Sequence, residues 1–298
     1  MAALPLPPTY ATTLPDGRLL AWVDLGDASG TPVLAMHGLP GSRFQRHPDE
    51  SIPRDLGVRV LHLERPGFGR SSVRRGRRLR DWPEDVAHLA DALGLGRFAI
   101  VGVSGGGPYA LACASMLGER VTRTAVVSGV GPRGSMQGPM PWTARVGLRL
   151  APYAAWVLAP PVAVMAWYAR RNPLRYLDRV AAAMPPVDRS VLARPAVRGM
   201  FAQDMSAAYS QGHRGFLDDL RLIAGNWKLS LESIRCPVAF WHGTADALVP
   251  DGASRALAAA IPGSALHLFE GAGHFCVFDC WAEVLRWLKG EAAPVAGP

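Results

Sequence analysis

The chain has 298 residues, of which 49% are hydrophobic and 19% are charged. This composition supplies enough apolar material for one large core and argues against an intrinsically disordered chain. The formal net charge is +8, but lysine occurs only at Lys228 and Lys289 and the arginines are scattered, so nucleic-acid binding is not predicted. One denser arginine cluster, within residues 70–80, is interpreted as a solvated loop, and a site that attracts an anionic substrate or surface is the alternative.

The N-terminal segment and the cysteines indicate the cellular compartment. The first residues carry neither the basic part nor the apolar run of a secretory signal, and the four cysteines lack the spacing of a disulfide framework or a metal site. We therefore expect a cytoplasmic protein with reduced thiols and no bound metal. Pro152, Pro160 and Pro161 interrupt the most apolar window, residues 151–169, so stable membrane insertion is not expected and an apolar surface helix is the alternative.

The predicted elements begin with a hairpin and continue as alternating strands and helices. Pro15-Asp16-Gly17 supplies turn residues between two strand-like segments. The alternation that follows, up to about Val130, is typical of a mostly parallel sheet covered on both faces. The predicted strands are residues 9–14, 18–25, 33–36, 58–63, 98–103 and 121–128, and the predicted helices are residues 81–93 and 109–117.

A helical insertion interrupts this alternation. From Pro132 to Trp227 the chain is rich in Pro, Met, Trp and Tyr and lacks buried strand patterns. Strands at residues 237–241 and 265–269 and helices at residues 252–260 and 278–288 then resume the pattern. The sequence thus predicts an α/β core of residues 1–131 and 233–298, with a helical cap of residues 132–232 inserted after the sixth strand.

The aromatic residues of the insertion have two interpretations. We predict that they line an apolar pocket under the cap and that Trp142 and Trp167 contact the substrate. Packing of the cap helices against one another is the alternative for each of them. Asp218, Asp219 and Arg221 are expected to anchor the cap to the core or to face water.

The most specific motif is Gly102-Val103-Ser104-Gly105-Gly106, a G-x-S-x-G between a predicted strand and a predicted helix. A nucleophile on so sharp a turn needs small residues two positions to either side, and Gly102 and Gly106 meet that need. A serine hydroxyl also needs a base that an acid orients. Asp246 and His274 each follow a later predicted strand, so we predict Ser104, Asp246 and His274 as nucleophile, acid and base.

The order Ser, Asp, His, with each residue after a strand, resembles the α/β-hydrolase superfamily over nearly the whole chain. The loop His37-Gly38-Leu39-Pro40-Gly41 looks like the oxyanion loop of that family. Residues 64–71 resemble its D-x-P-G-x-G-x-S turn, with Glu64 in place of the usual Asp. The resemblance implies that the backbone N–H groups of Leu39 and Gly105 hold the oxyanion, that His37 and Gly38 lie at the substrate, and that no cofactor is needed.

These features predict a carboxylesterase-like serine hydrolase that is a monomer or homodimer. Its substrate would be a small, largely apolar molecule with an ester, lactone or thioester bond. C–C bond hydrolysis, perhydrolysis and acyl transfer by the same residues remain open, as does a non-catalytic ligand-binding protein of this fold. The family branches that use Asp as the nucleophile are disfavoured by serine at position 104.

Overall fold

An eight-stranded sheet forms the centre of the described chain, which comprises residues 5–136, 138 and 140–291 of a computed structural model. The strands are β1 (Tyr10–Thr13), β2 (Leu19–Gly26), β3 (Thr31–Met36), β4 (Val58–Leu63), β5 (Phe98–Val103), β6 (Val121–Val127), β7 (Val238–Gly243) and β8 (Ala265–Phe269). Their order is β1-β2-β4-β3-β5-β6-β7-β8. The β1–β2 and β2–β4 pairs are antiparallel and the other pairs are parallel, which confirms the predicted α/β class.

Helices lie between most of the strands, and a group of five separates β6 from β7. The helices are α1 (Ser51–Asp55), α2 (Trp82–Ala92), α3 (Gly107–Met116), α4 (Trp142–Arg171), α5 (Pro173–Ala182), α6 (Pro186–Ala193), α7 (Pro195–Ala208), α8 (Arg214–Ala224), α9 (Gly252–Ala260) and α10 (Val277–Lys289). The predicted cap boundaries enclose α4 to α8, and the domain division stays a prediction. Residues 1–4 and 292–298 of the predicted core and residues 137 and 139 of the predicted cap lie outside the described residues.

The central strands are buried on both faces, which is why they are continuous apolar runs in the sequence. Ile100 packs with α2 and α3 on one side of the sheet, whereas the next residue, Val101, packs with α10 on the other. This alternation is the two-residue period of an extended strand. Each fully buried aliphatic side chain of this kind contributes about 1.5–3 kcal/mol, so the two layers account for much of the driving force for folding.

The cap helices have a core of their own that continues into the site. Leu177 of α5, Leu192 of α6 and Met200 of α7 are buried together, and Phe275, from the loop before α10, packs against this cluster. The cap is therefore joined to the sheet by apolar contact above the carboxyl ends of the strands.

Helix α4 corrects the expectation that Pro160 and Pro161 interrupt the segment of residues 151–169, whereas a kink at Ala154, two residues after Pro152, agrees with it. The helix extends from Trp142 to Arg171, and the backbone leaves helical geometry only at Ala154. Pro160 and Pro161 lie inside it at exposed positions. A proline removes one backbone hydrogen bond and kinks a helix, but packing on the opposite side can hold the helix together.

A buried ionic cluster attaches the cap to the core. Asp219 of α8 accepts hydrogen bonds from Arg65 Nε at 2.7 Å, from the Tyr109 hydroxyl at 2.6 Å and from Arg77 Nη2 at 2.5 Å. Burial alone would raise the pKa of Asp219, but the charges of Arg65 and Arg77 outweigh it and lower the pKa to about 2. Asp219 is therefore ionised at all ordinary pH values and joins two segments of the core to α8.

Arg77 corrects the interpretation of the arginine-rich segment as a solvated loop. Arg75, Arg78 and Arg80 are exposed as expected, but Arg77 is buried with its guanidinium against Asp219 and Tyr109. The partner that makes this burial possible lies 142 positions further along the chain. Local charge patterning could not reveal it.

Replacing Asp219 with Asn should destabilise the protein by roughly 3–5 kcal/mol, because it leaves two buried guanidinium groups without a counter-charge. Urea unfolding measures this loss. Asp218→Asn, at the adjacent half-buried position, should change the free energy of unfolding by less than about 0.5 kcal/mol. Since the pKa of Asp219 is depressed, its stabilisation is present above the unfolded-state pKa and is lost as pH falls toward 2. Equal stability of the two variants would contradict this account.

Candidate active site

Ser104 lies on a strained turn directly after β5. Its φ angle is 52°, in the left-handed region that costs a non-glycine residue about 1–3 kcal/mol. A Cβ atom at Gly102 would lie 2.5 Å from the Gly106 carbonyl oxygen, and one at Gly106 would lie 2.2 Å from the Met36 carbonyl oxygen. Side chains at these two positions would therefore collide with backbone, which is the reason predicted for both glycines.

The structure brings Ser104 into contact with His274 and Asp246. His274 Nε2 lies 3.1 Å from Ser104 Oγ, and His274 Nδ1 lies 2.7 Å from Asp246 Oδ2. Asp246 Oδ2 has no proton to donate, so the Nδ1–H donates to it and Nε2 is left to accept the proton of the Ser104 hydroxyl. The three residues come from turns after β5, β7 and β8, which end at the same edge of the sheet.

Backbone and side-chain donors hold Asp246 in one orientation. Its Oδ1 accepts hydrogen bonds from the N–H groups of Leu248 at 2.8 Å and Val249 at 2.9 Å. Its Oδ2 lies 3.2 Å from Nε2 of the buried His242, in addition to its contact with His274. The carboxylate is thus fixed on one side and aimed at the imidazole on the other.

Leu39 and Gly105 have adjacent backbones beside Ser104. A Cβ atom at Gly105 would lie 3.3 Å from the Leu39 amide nitrogen. The neighbouring Gly38 N–H donates to Gln45 Oε1 at 2.5 Å, so it is committed elsewhere. The two backbones thus lie next to each other at Ser104, as expected if both N–H groups donate to an oxyanion formed on a carbonyl that Ser104 attacks.

His37 and Arg65 determine the shape of this loop. The Arg65 backbone N–H donates to His37 Nε2 at 3.2 Å, so the ring proton is on Nδ1, which lies 2.9 Å from the Gly38 carbonyl oxygen. The Arg65 guanidinium donates to the carbonyl oxygens of His37 and Gly38. Burial, and next the charge of Arg65, hold the pKa of His37 well below 6.5, so this imidazole stays neutral.

Glu64 performs a structural role in its turn, at the position where the D-x-P-G-x-G-x-S pattern has Asp. Its Oε2 accepts from the N–H of Arg70 at 2.6 Å and its Oε1 accepts from Arg43 Nη1 at 2.7 Å. A Cβ atom at Gly69, where φ is 49°, would lie 1.9 Å from Glu64 Oε1. The longer acid is accommodated because position 69 has no side chain.

A cavity of about 170 Å³ opens beside Ser104 and His274. His37, Gly38 and Leu39 line it from the core, as predicted for the first two. The cap contributes side chains from three helices, namely Tyr176, Leu177, Val180, Leu192, Phe201 and Met205. The lining is therefore mainly apolar, with the reactive groups at one end.

Trp142 and Trp167 do not line this cavity, which corrects their assignment as substrate contacts. They lie on the outward face of α4, with exposed fractions of 74% and 55%. The cap residues that do reach the cavity lie on α5, α6 and α7, in a region where the sequence showed composition but no clear helix boundaries. The amphipathic spacing of Tyr176, Leu177 and Val180 could have identified α5 as the inward-facing helix.

Arg46 is the one cationic side chain among the described residues that line the cavity, aside from histidines. All three of its guanidinium nitrogens are committed to acceptors in the protein. Nε donates to the Glu50 carboxylate, Nη1 donates to the Phe44 carbonyl oxygen and to the Gln203 side chain, and Nη2 donates to the Pro5 carbonyl oxygen. The nearby His62 is neutral, because burial and the charge of Arg46 lower its pKa to about 3. The cavity thus offers little positive charge to an anionic substrate.

Residues 31–279 match the family model described as the alpha/beta hydrolase fold. The chain belongs to the α/β-hydrolase family. It is 26% identical over 284 residues to the uncharacterized hydrolase YcgS of Bacillus subtilis (strain 168), a match that covers 93% of this chain and 92% of that protein. It is 31% identical over 217 residues to 2-hydroxymuconate semialdehyde hydrolase of Pseudomonas putida, covering 72% of this chain and 66% of that protein.

Structural similarity extends over almost all of this α/β-hydrolase. An alpha/beta hydrolase fold protein from Nakamurella multipartita superposes with a TM-score of 0.72 at 24% identity, covering 95% of this chain and 99% of that one. A shorter match, 33% identical over 120 residues, is to the dihydrolipoyllysine-residue acetyltransferase component of the acetoin cleaving system of Pseudomonas putida, of which the chain spans 31%. The family is therefore established, whereas the bond that is cleaved varies among relatives.

The electrostatics of the site favour a charged Asp246 and a basic His274. Burial acts to raise the pKa of Asp246, but the charge of His274 and hydrogen bonds from His242 and His274 outweigh it and hold the pKa below its usual range. Burial acts to lower the pKa of His274, but the charge and hydrogen bond of Asp246 raise it above 6.5 overall. The pair thus stabilises an imidazolium when His274 takes a proton.

Asp188 is a buried cap residue that was not predicted from the sequence to lie at the site. From the first turn of α6, its Oδ1 accepts the N–H of Phe275 at 3.0 Å, and a Cβ atom at Gly273 would lie 2.3 Å from the same oxygen. Oδ2 is buried without a hydrogen-bond partner among the described residues. The negative charge of Asp188 adds to that of Asp246 in raising the pKa of His274. An acid in the first turn of a helix is common, so the sequence carried no signal for this role.

Metal-ligating groups are sparse in the described ranges 5–136, 138 and 140–291. They contain no cluster of three or more His, Cys, Asp or Glu side chains that could hold a metal ion. Cys276 and Cys280, which are four positions apart, are free thiols.

The rate of this hydrolase should fall on the acid side as His274 becomes protonated, with an apparent pKa above 6.5. Asp188→Asn removes one of the charges that raise the pKa of His274, so the acid limb of kcat/KM should move to lower pH. The matched control is Asp279→Asn, an exposed acid that pairs with Arg194 of the cap and should leave the profile in place. Identical acid limbs for wild type and Asp188→Asn would contradict the assignment of Asp188.

Proposed function

We propose that the protein is a serine hydrolase that cleaves an ester, lactone or thioester bond of a small, largely apolar substrate through an acyl-enzyme. The observation that carries this proposal is the contact of Ser104 with His274, and of His274 with Asp246, at the end of an apolar cavity. A non-catalytic binding protein would have no need for a base aimed at a strained serine.

The first half-reaction forms the acyl-enzyme. Ser104 Oγ attacks the acyl carbon while its proton passes to His274 Nε2, and Asp246 stabilises the resulting imidazolium. The developing oxyanion lies between the N–H groups of Leu39 and Gly105, where one such donor contributes about 3–4 kcal/mol. When the bond to the leaving group breaks, the leaving alcohol or thiol takes the proton from His274. A lactone releases the same group within one molecule.

The second half-reaction uses water as the nucleophile. A water molecule gives a proton to His274 and its oxygen bonds to the acyl carbon, after which the bond to Ser104 breaks and Oγ recovers its proton. The product is a carboxylic acid and the enzyme is regenerated. Every group required is a side chain or a backbone N–H, so the mechanism asks for no cofactor.

The size and polarity of the cavity support a small apolar acyl or aryl group. A cavity of roughly 150 Å³ lined by aliphatic and aromatic residues is large enough to bind benzene, and the cavity here is about 170 Å³. Each methylene that enters it contributes about 0.8 kcal/mol until the space is filled. Arg46 already donates to protein acceptors, so a carboxylate on the substrate would lack a free cationic partner.

A C–C bond hydrolase is the second candidate, because the chain is 31% identical to a 2-hydroxymuconate semialdehyde hydrolase over 72% of its length. The same serine and oxyanion donors serve an attack on a ketone. The name of that relative denotes a carboxylate substrate, for which the cavity here has no uncommitted arginine among its described lining residues. Ester cleavage is therefore favoured.

We also propose that the enzyme works in the cytoplasm. The four cysteines, at positions 113, 236, 276 and 280, are free thiols, and three of them are buried. Free thiols are typical of a reducing compartment.

A panel of p-nitrophenyl esters, lactones and a vinylogous diketone acid tests the proposal. We expect kcat/KM to be highest for short-chain or monocyclic aromatic esters and to fall for long acyl chains. Ser104→Ala should reduce kcat on the order of 10⁶-fold, because serine, base and acid act as a unit. Ser115→Ala, which removes a hydroxyl at a surface position, should retain wild-type activity.

Two outcomes would overturn the proposal. Ester turnover that persists in Ser104→Ala would exclude this nucleophile. Turnover of the diketone without turnover of any ester would establish the second candidate.

A further inference from the structure

The outward face of α4 carries large apolar side chains that no other part of the described chain buries. Trp156 is 77% exposed, and Trp142, Tyr153, Val164 and Trp167 are also mostly exposed. Exposed apolar positions recur at spacings of three and four in both halves of the helix, on either side of Ala154. An exposed apolar patch of this kind on a soluble fold marks a surface that interacts with something else.

The charges on this helix all have one sign. Arg145, Arg149, Arg170 and Arg171 are exposed, and α4 contains no Asp or Glu. The Arg171 guanidinium stacks over the ring of Trp167 at 5.3 Å. Tryptophan and arginine side by side present an apolar body and a cationic end, which suits the boundary between hydrocarbon and anionic headgroups.

A basic groove adjoins the middle of the helix. Tyr153 of α4 forms part of its wall, and the Arg133 guanidinium stacks over the Tyr153 ring at 5.4 Å. Arg80, Arg221 and Lys228 also line the groove, and no acidic residue does so among the described residues. The groove therefore extends the positive surface away from α4 with space for anionic groups.

We propose that this surface, the outward face of α4 with the adjoining basic groove, binds an anionic lipid membrane, with the helix lying along the membrane and not crossing it. The exposed tryptophans would enter the headgroup boundary while the arginines pair with lipid phosphates. A second copy of the chain is a poorer partner, because a two-fold contact through α4 would bring arginines against arginines. A soluble polyanion would leave the exposed tryptophans without a partner.

Helix α4 meets the length and composition of a membrane span but does not have the surroundings of one. It is 30 residues long, its most apolar 18-residue window has a mean hydropathy of 1.4, and only 11% of that window is buried. Arg145 and Arg149 lie within its first half, and Ala151, Ala166 and Ala169 are buried against neighbouring helices. One side of the helix is thus committed to the protein, which favours a position on the membrane surface.

The position of α4 connects this surface to the cavity. The helix packs against α5, and Tyr176, Leu177 and Val180 of α5 line the cavity beside Ser104. Attachment through α4 would therefore hold the cap at a membrane in which small apolar molecules accumulate. The binding itself does not depend on the proposed hydrolysis.

Co-sedimentation of the full-length protein with vesicles tests the proposal. We expect binding to vesicles made from equal parts of phosphatidylcholine and phosphatidylglycerol, weaker binding to phosphatidylcholine alone, and release at high salt. Arg145→Gln with Arg149→Gln should weaken binding to the anionic vesicles by roughly 25-fold, since each arginine near such a surface contributes about fivefold. Trp142→Ser with Trp156→Ser should weaken binding to both kinds of vesicle by about tenfold or more.

Matched controls separate this surface from general charge and apolarity. Met116→Ser and Arg54→Gln change an exposed apolar residue and an exposed arginine elsewhere, and both should bind as wild type. Circular dichroism melting of every variant shows whether it is folded; since the substituted side chains are exposed, melting temperatures should be unchanged.

Four results would overturn the proposal. Wild-type protein could remain in the supernatant with anionic vesicles, or the α4 variants could bind like the controls. Alternatively, sedimentation equilibrium could show a dimer that the tryptophan substitutions dissociate, or heparin could retain the protein while vesicles do not.

Discussion

The buried ion pair between Arg65 and Asp219 joins the three parts on which the site depends. Arg65 follows β4 and donates to the carbonyl oxygens of His37 and Gly38, while Asp219 belongs to α8 of the cap. Burying such charges costs several kcal/mol per ion, and the cost is offset only when their hydrogen bonds are complete. The loop of residues 37–41 is therefore held in this shape by the docked cap, which links docking of the cap to the oxyanion role that we propose for Leu39.

The core and the cap contribute different things to the site. Three turns at one edge of the sheet position Ser104, Asp246 and His274, and the strain at Ser104 is held by strand and helix on either side. The cap contributes the apolar walls of the cavity and, through Asp188, a second negative charge near His274. In the proposed mechanism, reactivity thus depends on rigid backbone, whereas selectivity depends on the packing of α5, α6 and α7.

Most of the core could be predicted from the sequence, because strands buried on both faces are continuous apolar runs. The predicted bounds of the strands at residues 58–63, 98–103 and 265–269 are identical to those in the structure. The partners of Arg77 and Asp188 could not be predicted from the sequence. Each partner lies more than 80 positions along the chain from the residue that it contacts, and only folding brings the two together. The cap was predicted to be helical, but the sequence did not show which faces of its helices point toward the cavity. Trp142 and Trp167 have the composition of a pocket lining, and only packing shows that they face outward.

Covalent labelling with a fluorophosphonate tests the central claim, that Ser104 is an activated nucleophile. The folded protein should gain one phosphonyl group by intact mass, and peptide mapping should place it on Ser104. His274→Ala should react far more slowly, because the hydroxyl loses its base. A folded wild-type protein that stays unlabelled, or a label on another serine, would contradict the account.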